Sequence, residues 1–105
     1  IVEVSPTTAV DEDQKVQPSE YSLSQNYPNP FNPTTNINYK ISKSGYVSLK
    51  VYDVLGNEVT TLVNEVKPAG EYEVQFGSSS LASGVYYYQL KAGNLAETKK
   101  MILLR

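Results

Sequence analysis

The chain has no cysteine and no histidine among its 105 residues. Without thiols there can be no disulfide and no thiolate nucleophile, and without imidazole the usual near-neutral general base and nitrogen metal ligand are missing. Long apolar runs are absent as well. The terminal Met101-Ile102-Leu103-Leu104 is four residues long, against the ~20 that a membrane helix requires. The net charge of −2 is too small to draw the chain to nucleic acid or an anionic membrane. No segment holds a 3.6-residue apolar period long enough for a helix. No Ser–His pair, phosphate-cradling glycine loop or metal cluster stands in the sequence, so it offers an enzyme nothing to work with and implies no cofactor.

What is present is valine, tyrosine and turn chemistry. Nine tyrosines and two phenylalanines supply most of the bulk, and each ring can bury ~150–250 Å². The charge is unevenly spread. Residues 1–33 carry Glu3, Asp11, Glu12, Asp13 and Glu20 against Lys15, while residues 34–105 carry six acids against seven lysines and Arg105. The segment Ser5–Glu20, polar and acidic with a proline near each end, has linker composition. Ile1-Val2-Glu3-Val4 before it is β-prone and could add to a sheet edge. An N-terminal isoleucine is expected of a processed chain or of a piece of a longer one. The division expected is therefore 1–20 as flexible acidic tail and 21–105 as one folded domain.

From Thr34 onward, short alternating segments are separated by turn signals about every ten residues. Residues 37–41 put Ile37, Tyr39 and Ile41 on one face, and residues 46–53 set Val47, Leu49 and Val51 against Ser48, Lys50 and Tyr52. Gly56-Asn57 reads as a two-residue hairpin turn leading into a strand at 58–66. Lys67-Pro68-Ala69-Gly70 has the proline and glycine placement of a type I turn. Further strands follow at 71–76, 85–92 and 95–104, with Gly84 and Gly93-Asn94 as turns and Leu81 tucked under the sheet. With a short strand near Tyr21–Leu23, this predicts an all-β fold: an antiparallel Ig-like or fibronectin-III-like β-sandwich of about seven strands.

Four features invite a functional reading. Glu71 and Glu73 share a strand face, about 7 Å apart on strand geometry, but a solvent face opposite Tyr72 and Val74 explains them better than a carboxylate pair. Asp11-Glu12-Asp13 lacks the spacing of a calcium loop. Tyr86 and Tyr88 must face one way and Tyr87 the other, so one ring is left for solvent, a sugar or a protein. Lys99-Lys100 before the apolar terminus reads as a last strand with edge-protecting lysines. A fifth feature, Tyr27-Pro28-Asn29-Pro30-Phe31-Asn32-Pro33, is too proline-rich for a helix or a central strand. It is expected to form a rigid collar, with Tyr27 and Phe31 packed against one end of the sandwich.

Taken in order, YPNPFNPTTNINYKI, VSLKVYDVLGNEV, GEYEVQF, LASGVYYYQLKAGN and ETKKMILLR resemble the C-terminal sorting domain of type IX secretion cargo. They are also similar to the related Ig-like module of the flagellar hook-capping family. The likeness covers about Tyr21–Arg105. It implies a non-catalytic address on a secreted protein of a Gram-negative bacterium. Such a module passes the periplasm and the outer membrane through a secretion pore, is bound by outer-membrane shuttle proteins, and is often removed by a sortase-like protease. The cargo then stands outside the cell or on its surface.

The resemblance carries sorting or recognition onto Tyr27, Pro28, Asn29, Pro30, Phe31, Lys99, Lys100, Met101, Ile102, Leu103 and Leu104. It carries turn roles onto Gly56, Gly84 and Gly93, beside the Gly70 already read as one, and it places cleavage within Ser5–Glu20. If the last strand is the presented signal, deleting Met101–Arg105 should abolish export while leaving a folded domain. Two other functions compete: a structural surface subunit that polymerises through Ile1–Val4 strand addition, and an Ig-like accessory or glycan-binding module using the solvent-facing tyrosine.

Overall fold

The computed structural model describes residues 21–77 and 80–105. The Ile1–Val4 strand, the Ser5–Glu20 linker with its cleavage segment, and the acidic run at 11–13 lie outside the described residues. Seven strands follow in chain order: β1 (Ser22–Leu23), β2 (Thr34–Ile41), β3 (Gly45–Tyr52), β4 (Glu58–Lys67), β5 (Gly70–Gly77), β6 (Gly84–Ala92) and β7 (Leu95–Leu103). They form a three-stranded sheet of order β1-β2-β5 and a four-stranded sheet of order β4-β3-β6-β7, with every pairing antiparallel. The expected all-β sandwich is the observed one.

Alternation sets the core. In β2, Thr35, Ile37, Tyr39 and Ile41 are buried; in β3, Val47, Leu49 and Val51; in β6, Tyr86, Tyr88, Leu90 and Ala92. A period of two places each of these sets on a single sheet face. The expected pair Tyr86/Tyr88 lies inside while Tyr87 is half-exposed. Leu81 packs against the core as expected. Glu71 and Glu73 are exposed on β5, with Glu71 3.9 Å from Lys40 as a surface ion pair.

Strand β4 breaks the alternation. Its register against β3 steps from Leu49↔Val63 to Lys50↔Thr61, and from Val51↔Thr60 to Tyr52↔Glu58. Leu62 and Val59 are the residues left over, each forming a bulge. Bulges let consecutive residues lean inward, and Val59, Leu62 and Val63 all contribute to the core.

The turn glycines take positive φ, +88° at Gly56, +156° at Gly70, +153° at Gly84 and +59° at Gly93. Gly93-Asn94 is the two-residue hairpin expected, closing on Ala92↔Leu95. Gly56-Asn57 is not. The β3–β4 connection spans Asp53–Asn57, because the Asp53 carboxylate accepts hydrogen bonds from the Leu55 and Asn57 amides, both at 2.9 Å. That side chain opens a longer loop, and Gly56 donates back to the Asp53 carbonyl at 3.0 Å.

Two core tyrosines give a pH signature. Burial pushes the hydroxyls of Tyr39 and Tyr88 up to about 12. Negative neighbours add to it, while the Asn26 amide bonded to Tyr88 pulls the other way. A folded pKa above the unfolded value of ~10 means that the protonated phenol favours folding. This stability is complete below about pH 10 and is lost as pH rises through about 12. The urea midpoint should therefore fall across that window. The Tyr39 hydroxyl has no hydrogen-bond partner among the described residues. Tyr39→Phe is therefore expected to keep the neutral-pH midpoint and to lose part of the alkaline decline. A decline identical to that of the wild type would contradict the assignment.

Candidate functional site: the collar and the last strand

The two stretches that the sequence marks for recognition are far apart in the chain but touch in the fold. Phe31 makes a parallel bridge to Leu103. Its amide donates to the Ile102 carbonyl and its carbonyl accepts from the Leu104 amide, both at 2.9 Å. The Asn29 side-chain oxygen accepts from the Ile102 amide at 3.0 Å, across 73 positions of sequence. Gln25 adds a bond from its amide nitrogen to the Lys100 carbonyl at 2.7 Å. The collar therefore occupies the outer edge of β7 from the Lys100 carbonyl to the Leu104 amide. This supplies what prolines cannot: Asn29 and Phe31 keep their polar groups free for that edge while Pro28, Pro30 and Pro33 stiffen the path.

Phe31 is the anchor. It is 1% exposed and meets Phe76 edge-on, with ring centroids 5.9 Å apart at 64°. Tyr27 is not an anchor: it is 78% exposed. Its backbone bonds to Asn36 in both directions, but the inward place beside it belongs to Asn26, 2% exposed. Asn26 donates through its side-chain nitrogen to Thr35 Oγ1 at 2.9 Å and to the Pro28 carbonyl at 3.1 Å. Thr35 Oγ1 donates to the same carbonyl at 2.8 Å. Across the core, the Tyr88 hydroxyl accepts from the Asn26 amide and donates to the Ser24 carbonyl, both at 2.7 Å. A buried phenol with both functions satisfied ties the collar to the opposite sheet.

Gln25, Asn26, Thr35 and Tyr88 were not singled out from the sequence as parts of this site. The one available signal was the need of a buried tyrosine for a partner, and it does not name the partner. The motif residues of β7 divide by face. Met101 and Leu103 are fully buried, Ile102 is half-buried, and Lys100 and Leu104 are exposed. Met101 and Leu103 lie in the core, so removing Met101–Arg105 is expected to unfold the domain rather than leave it folded. Nor is the terminal stretch of β7 a bare edge, since Phe31 already pairs with it.

Nearer the hairpin, the same edge runs past Ala96 and Thr98 beyond the collar's reach. Glu97 and Lys99 lie opposite Leu90 and Tyr88, on the inward-facing row, and are 3.4 Å apart. Inward-pointing charges are a common guard against strand addition. No group of metal-ligating side chains occurs among the described residues, and no helix among them is long and apolar enough to cross a membrane.

No curated protein matches the chain. A family model does, over residues 25–104, a span that begins at Gln25, two residues before the collar, and ends at Leu104 where the collar closes. On that match the chain belongs to the secretion system C-terminal sorting domain family, the sorting domain of type IX secretion.

Proposed function

We propose that residues 21–105 are a non-catalytic address read in the folded state, with the collar and the last strand recognised together. Family membership gives the chain a type IX sorting role and marks it as part of a secreted protein exported across the outer membrane. The finer reading rests on one observation: Asn29 and Phe31 are hydrogen-bonded to Ile102 and Leu104. The family's two ends thus make one rigid surface, bearing Tyr27, Asn29, Pro30, Lys100 and Leu104 outward. The secretion pore and an outer-membrane shuttle are the partners of this surface. A sortase-like protease cuts within Ser5–Glu20, and the cargo is left outside the cell or on its surface.

The test fuses residues 1–105 behind a fluorescent passenger in a host with type IX machinery, with a strain lacking the pore as control. Passenger in the medium or on the surface only when the pore is present is the expected result. Periplasmic retention in both strains contradicts the reading.

A further inference from the structure

Strand registers give the sandwich two poles. Tyr21, with its hydroxyl beside Gly93, lies at the pole formed by Ser42–Ser44, Pro68-Ala69 and Gly93-Asn94. The collar, the Asp53–Asn57 loop and Leu104 lie at the other. An eight-residue strand separates the two poles, about 26 Å at the usual rise. Whatever precedes Tyr21 in the chain therefore enters at the pole opposite the Asp53–Asn57 loop.

That loop carries an anomaly. Val54 is 64% and Leu55 82% exposed, where a turn would ordinarily take polar residues or glycine. They are not loosely held. Asp53 Oδ1 accepts from the Leu55 and Asn57 amides, and the Asp53 amide donates to the Asn57 carbonyl while Gly56 donates to that of Asp53. Beside the tip, Tyr52 and Tyr87 are directly paired across β3 and β6, both half-buried on the outer face of the sheet. A shallow groove joins them to Asp53, Val54 and Gln89. A rigid presentation of apolar side chains lowers the entropy cost of binding, and packing within the domain does not account for their exposure.

We infer that the Val54–Leu55 tip, with Tyr52 and Tyr87 beside it, is a docking surface for a concave apolar pocket on a protein of the export machinery. This rests on the sorting reading above. Three observations select that occupant. A tip of two side chains and two ring edges falls well short of the ~800 Å² per partner of a standard interface, which fits a transient encounter and disfavours a stable dimer of two copies. The preceding chain enters at the far pole, which disfavours the passenger. The rim has no excess charge of one sign: Lys50 is paired with Glu58 at 3.5 Å, and the Asp53 carboxylate and the exposed Lys100 opposite Tyr87 carry one charge of each sign. An apolar pocket, rather than a charged surface, is the complement.

The experiment compares pore-dependent export of the passenger fused to residues 1–105 carrying wild-type sequence, Leu55→Asp, or Val66→Asp. Val66 is 70% exposed at the far pole, beside Tyr46, and serves as the control. Circular dichroism melts of the three unfused chains establish that each is folded. The expected result is a tenfold or greater loss of export for Leu55→Asp, with its melting midpoint unchanged and Val66→Asp exported normally. Normal export of folded Leu55→Asp overturns the docking surface and leaves the sorting role standing. Equal loss in both variants also overturns it, because position then does not matter. Sedimentation showing a wild-type dimer that Leu55→Asp abolishes reassigns the tip to a second copy. Failure of the wild type to be exported overturns the sorting reading, and this inference with it.

Discussion

Deleting Met101–Arg105 is expected to abolish the cooperative melt of the domain. Met101 and Leu103 are among the largest fully buried side chains, and truncating a buried Met or Leu even to Ala costs about 2–5 kcal/mol. Losing two outright, together with three ladder positions against β6 at Gly84, Val85 and Tyr86, approaches the whole stability of a small domain, roughly 5–15 kcal/mol. The collar suffers as well, because Phe31 and Asn29 lose Ile102 and Leu104 as partners. Thermal scans followed by far-UV circular dichroism check this, and a retained sharp transition near the wild-type midpoint would contradict it. The consequence for export work is direct. A truncation that stops secretion does not locate a signal in the last five residues, whereas a substitution at exposed Lys100 can.

Phe31→Ala should be the most damaging single change in the collar, costing about 3–5 kcal/mol, as buried Phe truncations do. The ring fills the space against Phe76, and its own backbone holds the edge of β7. Tyr27→Ala, four residues earlier and exposed, should stay within about 0.5 kcal/mol. Urea titrations of the two variants provide the comparison. Similar midpoints for both would mean that Phe31 is not the anchor. The pair is informative because the sequence alone presents the two aromatics as equals.

That equality marks a limit on what was legible. Where residues alternate, as at Ile37, Tyr39 and Ile41 or Val47, Leu49 and Val51, face and burial follow from a period of two, and the observed core agrees. In β4 the same reasoning finds only a strand. The two bulges at Leu62 and Val59 shift the phase, and nothing local in a run of Val and Thr announces them. The Asp53–Asn57 loop was hidden by its own glycine, since Gly56-Asn57 suggests a tighter turn and only the capping by Asp53 reveals the longer one.

The candidate site was legible as two stretches and illegible as one surface. Asn29 to Ile102 is a contact between distant segments, decided by which edge of the finished sandwich is left unpaired. Asn26 is the clearest omission. A polar side chain in a proline-rich segment reads as turn chemistry, yet it takes the buried position from Tyr27 by satisfying Thr35 and Pro28.

Collar and last strand form one locked unit. Native-state hydrogen exchange at the Phe31, Ile102 and Leu104 amides tests it most directly, since all three donate across the seam. Protection at these amides comparable to that of core amides in β6, lost together in Phe31→Ala, is the predicted result. Rapid exchange at all three beside a protected β6 would mean that the collar is not held on the strand.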